Sequence, residues 1–251
     1  MESREIILGL AAFTVFFLGA VLVVLFAILR GKKGVPLRLM PAIERMMQAV
    51  GRLVEDGSRL HISLGRGGLL TPQGASALAG LSLLDRLSRL TSASDKPPIA
   101  TSGETTLALL SQDSLQKAAG TMGQAGMDPH AGRISGLTPF SYAAGVIPAI
   151  HDENVSATIL IGNFGVEAGL ITEAAERTGT FSLAGSDNLA AQAVFYATAK
   201  ETLLGEELFS AGAYVEPTPV HTASLVVQDI FRWLIILVIL GWSLLKVTGI
   251  L

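Results

Sequence analysis

Three glycine-rich turns carry the residues best suited to chemistry in this sequence. Gly65-Arg66-Gly67-Gly68, Gly162-Asn163-Phe164-Gly165 and Gly185-Ser186-Asp187-Asn188 each follow a short apolar run and precede a helical pattern. Such turns bring the N-terminus of a helix to the end of a strand, where unpaired N–H groups can bind an anion. The turns therefore predict a site for an anionic small molecule. Tight turns and close helix–sheet packing explain the same glycines more simply than a nucleotide site does, and both interpretations stay open.

Each polar residue near these turns has a chemical role that its type allows. Arg66 is the only positively charged residue in the three turns, so an anionic ligand should depend on it. An acid such as Glu104 or Asp187 could accept a hydrogen bond from a hydroxyl group, and Glu104 stands roughly where a ribose-binding acid is expected. The candidate ligand-binding residues are Gly65, Arg66, Gly67, Gly68, Glu104, Gly162, Asn163, Gly165, Asp187 and Asn188.

The fingerprints of known nucleotide sites are incomplete in these turns. The lysine and Ser/Thr pair of a Walker A loop is missing, and Leu70 occupies the third glycine position of a dinucleotide-binding Gly-x-Gly-x-x-Gly pattern. The sequence therefore names no cofactor. A nucleotide is one possible ligand of the site and not a defined one.

Metal and nucleophile patterns give no catalytic assignment. The four histidines lack metal-ligand spacing, and the chain has no cysteine to complete a zinc site. The cluster His151-Asp152-Glu153 is explained by a solvated turn. Ser102, Ser182 and Ser186 lie near strand ends, but no Gly-x-Ser-x-Gly motif accompanies them. We therefore predict no metal site and no catalytic residue, and the sequence does not decide whether the protein is an enzyme.

The elements that position these turns form a repeating strand–glycine–helix unit. Residues 156–179 show it most clearly, because an apolar run of Ala157 to Ile161 is followed by glycines and then by an amphipathic helical pattern that ends at Gly179. Five or six such units predict an α/β fold over residues 59–216, a Rossmann-like three-layer domain with a mostly parallel doubly wound sheet.

Several elements of this domain are predicted with definite boundaries. An amphipathic helix over residues 36–56 could lie on the membrane surface, but its polar face mixes acidic and basic residues, which favours packing against the domain or a neighbouring subunit. Pro148 should bend or end the helix that Thr138-Pro139 begins. The remaining predictions are an irregular stretch at 123–133, a third strand from Arg133 to Leu137, a helix from Asn188 to about Leu204 and a last strand from Gly212 to Val215.

Two apolar segments predict a membrane anchor at each end of the chain. Residues 6–29 contain no charge and are long enough to cross a bilayer, and residues 230–251 form a second span after a linker at 217–229. No basic n-region precedes the first segment and no cleavage site follows it, so a signal peptide is not expected. The positive-inside rule then predicts a cytoplasmic main domain, because basic residues follow the first span at Arg30, Lys32, Lys33 and Arg38.

Charge argues against nucleic acid as a partner. The chain has a net charge of −3, and residues 59–228 contain nine Lys and Arg against fifteen Asp and Glu. Basic stripes and interleaved aromatic residues are absent from the sequence, so a phosphate backbone should be repelled.

The complete layout resembles a known family. The stretches His61-Ile62-Ser63-Leu64-Gly65-Arg66-Gly67-Gly68 and Ile161-Gly162-Asn163-Phe164-Gly165, with an apolar span at each end, are similar to an uncharacterised prokaryotic membrane-protein family. The resemblance covers nearly all 251 residues. It implies a Rossmann-like domain of unknown function between two transmembrane helices, and it implies no activity.

The sequence therefore leads to two functional hypotheses. The first is a structural or ligand-sensing component of a homo-oligomeric assembly in the lipid bilayer. Its self-association is expected from the Met-rich helix at 39–54 and the Ala-rich helix after Asn188, although the same faces could pack on the protein's own sheet. The alternative is a membrane-bound enzyme that uses a nucleotide or dinucleotide at the carboxyl ends of the strands.

Overall fold

The structure of the chain, a computed structural model, describes residues 2–30, 38–91, 94–121 and 128–247. The chain divides into two compact units, Leu39–Glu216 and the combination of Met1–Arg38 with Pro217–Leu251. Parts of three predicted segments lie outside the described residues. These parts are residues 36–37 of the amphipathic helix, residues 123–127 of the irregular stretch and residues 248–251 of the second span.

The unit Leu39–Glu216 alternates strands and helices along the chain. Its strands are β1 (Arg59–Gly65), β2 (Ile99–Ser102), β3 (Gly132–Ile134), β4 (Val155–Asn163), β5 (Phe181–Ser186) and β6 (Glu201–Leu203). Its helices are α2 (Pro41–Glu55), α3 (Gly74–Thr91), α4 (Thr105–Thr121), α5 (Pro139–Asp152), α6 (Ala168–Arg177), α7 (Leu189–Thr198) and α8 (Glu207–Val215). The other unit contributes α1 (Glu2–Arg30) and α9 (Pro219–Val247).

All six strands form one parallel sheet in the order β3-β2-β1-β4-β5-β6. The chain moves outward from β1 to β3, returns to the centre through α5, and then moves outward in the opposite direction from β4 to β6. The predicted α/β class and doubly wound parallel sheet are thereby confirmed. The topological switch point, where ligands bind in open α/β sheets, lies between β1 and β4.

Helices cover both faces of the sheet and give the unit three layers. Successive residues of a strand point to opposite faces. Ile159 and Ile161 of β4 accordingly join a core that includes residues of α2, α3, α4 and α8. Leu160 joins a second core with residues of α5, α6 and α7. Both faces of the sheet are therefore buried, which explains why β4 reads as a continuous apolar run.

The amphipathic helix α2 packs its apolar face on the protein's own sheet. Ile43, Met46, Val50 and Leu53 are buried in the larger core. The sequence leaves two packing partners open, the domain itself and a neighbouring subunit. In the structure, α2 packs on the domain. The Met-rich face is thus covered within one chain, and it no longer supports the expected self-association.

Pro148 does not end α5 early, which is one of the two effects predicted for it. The helix begins with a capping box at Thr138 and continues to Asp152. Proline has no N–H group, so the Ala144 carbonyl lacks its usual helical partner at Pro148. Both residues are exposed, so water can hydrate that carbonyl. Ala149 and Ile150 are buried beyond the proline, and this packing holds the last turn in place.

The segment after β5 differs most from the prediction. The expected helix from Asn188 to Leu204 ends at Thr198, because Ala199 is extended and β6 pairs with β5 from Glu201 to Leu203. The expected strand from Gly212 to Val215 is the end of α8 instead. The third strand is also shorter than expected, with Gly132–Ile134 in place of Arg133 to Leu137. Edge-strand pairing and helix packing, which are tertiary effects, override the local sequence pattern here.

The unit formed by α1 and α9 contains two helices that are long and apolar enough to cross a membrane. The candidate spans are Glu5–Leu29 and Pro219–Val247, with mean hydropathies of 2.9 and 2.1. The two helices contact each other, and a Cβ atom at Gly19 would lie 3.2 Å from the Phe231 ring. Residues 219–229, assigned to a linker from the sequence, are the first turns of α9. Thr218-Pro219 begins this helix, since proline is favoured in a first helical turn.

Candidate functional site

The candidate site lies at the switch point, where the loop after β1 meets the loop after β4. Gly65 pairs with Asn163 in the sheet, and the Arg66 N–H donates to the Asn163 carbonyl at 2.9 Å. Gly65 has a φ of +72°, and a Cβ atom there would lie 2.2 Å from the Asn163 oxygen. Only glycine fits this position, because both the backbone conformation and the close contact exclude a side chain.

Arg66 forms an ion pair with a buried acid in this crevice. Its Nε lies 3.3 Å from Oε1 of Glu167, whose side chain is only 4% exposed, whereas the Arg66 side chain is 25% exposed. The Gly165 N–H also donates to Glu167 Oε1, at 3.1 Å. Glu167 therefore occupies the place next to Arg66 that the sequence assigns to an anionic ligand.

The backbone of Gly67 and Gly68 offers hydrogen-bond donors beside this ion pair. Within the described part of the chain, neither N–H group donates a hydrogen bond. A Cβ atom on Gly67 would lie 2.7 Å from that of Asn163, so the chain packs closely over this glycine. The loop thus combines two free backbone donors with one guanidinium group, and close packing accounts for part of its glycine content.

Glu104 caps a helix. Its carboxylate accepts hydrogen bonds from the Leu107 N–H and the Thr106 hydroxyl, both at 2.8 Å, at the start of α4. Burial raises the pKa of Glu104, but the hydrogen bonds from Leu107 and Thr106 lower it more, and the net pKa lies below its usual value. The acid expected to bind a hydroxyl therefore stabilises the α4 N-terminus, where a negative charge is favoured.

Asn163 and Asp187 are brought together, whereas Asn188 has a capping role. Asn163 Nδ2 donates to Asp187 Oδ1 at 2.7 Å, and the Ser76 hydroxyl donates to Asp187 Oδ2 at 2.9 Å. The Asn188 side chain accepts from the Ala190 N–H at 3.0 Å and caps α7. These contacts join the loops after β4 and β5 to the start of α3.

A buried tyrosine, Tyr142, stabilises the Gly65 turn by a hydrogen bond that the sequence does not indicate. The Gly65 N–H donates to the Tyr142 hydroxyl at 3.2 Å, and that hydroxyl lies 2.6 Å from Ser63 Oγ. Burial raises the pKa of the Tyr142 phenol, so it stays protonated at neutral pH. Sequence reasoning missed Tyr142 and Glu167 in this region. Glu167 carried a weak signal, since it lies two residues after the Gly162–Gly165 turn.

His61 belongs to the same buried polar layer. Its Nδ1 lies 2.6 Å from Thr158 Oγ1, and its Nε2 lies 2.9 Å from Thr101 Oγ1. Burial, aided by the positive charge of Arg133, lowers the pKa of His61 to about 3. The imidazole is therefore neutral, and both of its nitrogens are engaged by hydroxyl groups.

The other candidate groups have structural partners. Glu153 forms ion pairs with Arg59, at 2.6 Å, and with Arg133 at the amino end of the sheet. Ser186 Oγ accepts from the N–H groups of Phe164 and Asn188. Among the described residues, no three His, Asp or Glu side chains cluster so as to hold a metal ion.

Comparison with known families places the chain in one of them. A family model described as "Domain of unknown function (DUF6754)" matches residues 5–250. The match covers nearly the whole chain, so the protein belongs to this family, and the resemblance seen in the sequence is confirmed. No curated protein matches the chain.

Proposed function

We propose that this member of a family of unknown function is a membrane-anchored ligand-sensing protein. Its sensor is the switch-point crevice, which binds an anionic small molecule through Arg66 and the N–H groups of Gly67 and Gly68. The observation that carries the proposal is the Arg66–Glu167 ion pair at 3.3 Å, beside those two free donors. A guanidinium group next to free backbone N–H groups is well suited to a phosphate or carboxylate.

Sensing follows from competition between the ligand and Glu167. An anion that binds Arg66 leaves the nearly buried Glu167 carboxylate with the Gly165 N–H but without a cation, and loss of the partner of a buried charge costs about 3–5 kcal/mol. Glu167 must then turn towards water. Glu167 directly precedes α6, and its carbonyl accepts from the Leu170 N–H at 3.0 Å, so α6 is the element placed to respond to this change.

The membrane anchor is supported by α1 and α9. Both are long and apolar enough to span a bilayer, and the α1 candidate span contains no charged residue between Glu5 and Arg30. Arg30, Lys32, Lys33 and Arg38 follow the first span, which supports a cytoplasmic position for the main domain. The net negative charge of residues 59–228 supports the absence of nucleic acid partners.

Self-association in the membrane remains part of the proposal, on a surface other than α2. Helices α5, α6 and α7 line an open groove of about 410 Å³ that includes Phe140, Val166 and Leu170. Phe140 is 67% exposed, and Tyr196 on α7 is 73% exposed. Exposed apolar residues that share one groove, as Phe140, Val166 and Leu170 do, are typical of contact surfaces. Mass photometry in mild detergent tests this part, and a single monomer mass at all concentrations would contradict it.

The alternative is an enzyme that uses a nucleotide at the same edge of the sheet. The switch-point position is common to both hypotheses, so the fold does not separate them. Polar groups near the crevice bind one another instead of standing free, as Asn163, Asp187 and Ser76 do. Groups paired in this way are not free to act as general acids or bases on a substrate. The arrangement therefore favours ligand binding over catalysis.

Calorimetry of the full chain in a non-ionic detergent tests the binding proposal. We expect at least one common nucleotide to bind, and we expect Arg66→Ala to weaken that binding by about 1.5–3 kcal/mol, as for a hydrogen bond to a charged group. Lys117→Ala, which removes an exposed cation of α4, is the control and should leave the affinity unchanged. Binding that is indifferent to Arg66 would refute the site.

A further inference from the structure

A second groove lies at the opposite, amino end of the sheet and has no part in the proposed sensor. It encloses about 440 Å³ between α2 and the starts of β4 and β5. Three cations line it, Arg45 and Arg52 from α2 and Lys200 from the turn before β6. These cations converge in a domain whose overall charge is negative. The net charge of the domain therefore does not account for the presence of three cations in one groove.

Helical spacing brings the two arginines to the same wall. Arg45 and Arg52 are seven residues apart, which is two helical turns, so both lie on one side of α2. The apolar side of this helix carries Met46 and Val50, which are buried on the sheet. Packing of the apolar side thus fixes the direction in which the arginines point.

The charges of the groove are only partly neutralised. Arg45 pairs with Glu201, and Lys200 Nζ donates to the Gly179 carbonyl at 3.3 Å. Arg52 forms no ion pair with any residue that the structure describes. Asp56 also lines the groove and opposes an anion, but three cations against Asp56 and Glu201 leave a positive excess.

The floor of the groove adds an apolar contact. Leu53 and Phe181 line it together with the cations. A volume of about 440 Å³ lies in the range of small-molecule sites, which typically measure about 300–1,000 Å³. Converging cations above an apolar floor match a compound with a phosphate group at one end and an apolar group at the other.

We infer that this groove binds a phosphate monoester carried by an organic group. Arg52 and Lys200 hold the phosphate, because their remaining donors are free to form charge-assisted hydrogen bonds. The same chemistry occurs in the headgroup of an anionic lipid and in a soluble phosphate ester. The inference does not rest on the proposed sensor, since none of its residues is shared with the switch-point crevice.

Two probes separate these sources, both applied to the full chain in a non-ionic detergent. Phenyl phosphate, followed by calorimetry, represents a soluble phosphate monoester with an apolar group. Phosphatidic acid, followed by native mass spectrometry, carries the same phosphate monoester on a lipid. Saturable binding of either probe is expected, and the probe that binds more tightly identifies the source.

Charge-matched variants assign the binding to the groove. Arg52→Gln/Lys200→Gln should weaken binding at least about tenfold, since each lost charged hydrogen bond costs a factor of that order. Lys117→Gln/Arg177→Gln removes the same two charges from α4 and α6, where both side chains are paired with acids on their own helix. This control should retain wild-type affinity. If neither probe binds, or if the control loses as much affinity as the groove variant, the inference is wrong.

Discussion

Single carboxylates determine what the switch point can bind. Glu167 neutralises Arg66, Glu104 caps α4, and Asp187 accepts from Asn163 and Ser76. Each acid satisfies donors that a bound anion or hydroxyl would otherwise use. A ligand that uses these donors must therefore displace a protein group, and displacement of Glu167 releases the Arg66 cation.

His61 makes the stability of the domain depend on acid pH. Its pKa is lowered to about 3 in the folded protein, whereas an unfolded histidine titrates near 6.5. Between these values the unfolded chain binds more protons, so the free energy of unfolding should rise with pH by up to about 1.4 kcal/mol per unit. The contribution is complete above pH 6.5 and is lost as the pH falls towards 3.

Urea unfolding of the full chain in detergent, followed by circular dichroism from pH 4 to pH 7, measures this slope. His61→Gln should flatten it, and His130→Gln, which alters an exposed histidine, should not. Equal slopes in the wild type and His61→Gln would show that burial of His61 does not control acid stability.

Sequence reasoning identified the glycine turns but not all of their partners. Gly65 and Gly162 were predictable because a strand that ends in glycine before a helix is a local pattern. Tyr142 was not, because its hydroxyl reaches Gly65 across 77 positions of the chain. Glu167 lies two residues after Gly165, yet an acid after a turn is ordinarily exposed, and only the tertiary structure buries its side chain.

At the scale of elements, α2 shows how an apolar helix face acquires its partner. The periodicity of Ile43, Met46, Val50 and Leu53 indicated a helix with one buried side, and this was confirmed. Periodicity shows which face of α2 is buried, but it does not show what covers that face. Whether the protein's own sheet or another subunit covers it depends on the path of the rest of the chain. The same limit applies to the predictions for α7, β6 and α8. Local propensity would continue α7, but the pairing of β6 with β5 ends that helix.

Met46 should contribute strongly to the stability of the domain. Its side chain is fully buried in the core that joins α2 to the sheet. Met46→Ala should lower the free energy of unfolding by about 2–5 kcal/mol, as expected for a large-to-small change in a packed core. Met47→Ala, at the neighbouring and only partly buried position, is the matched control and should cost clearly less. Similar losses in chemical denaturation would mean that the α2 face is not packed as described.

At the scale of the whole molecule, α1 and α9 belong to a different unit from the sheet. The apolar segments were recognisable from the sequence because length and hydropathy are local properties. The start of α9 at Pro219 was not recognisable from the sequence, because the prolines at 217 and 219 suggested an extended linker. Proline in a first helical turn is compatible with both interpretations.

The absence of cysteine from the chain allows a clean test of the proposed orientation. Glu176→Cys places a single thiol on the exposed side of α6, and Ser3→Cys places one before the first span. In intact cells, a membrane-impermeant maleimide should label Ser3→Cys at once and Glu176→Cys only after permeabilisation. Labelling of Glu176→Cys in intact cells would place the domain outside.

The most direct test of the sensing proposal is the affinity of Glu167→Gln for inorganic pyrophosphate, measured by calorimetry on the full chain. This change keeps the size of the side chain but removes the charge that competes for Arg66, so binding should become about tenfold tighter than in the wild type. Glu173→Gln, which removes an exposed acid from the same helix, should leave the affinity within about twofold of the wild-type value. Unchanged or weaker binding by a folded Glu167→Gln protein, or no binding by either protein, would contradict the proposal.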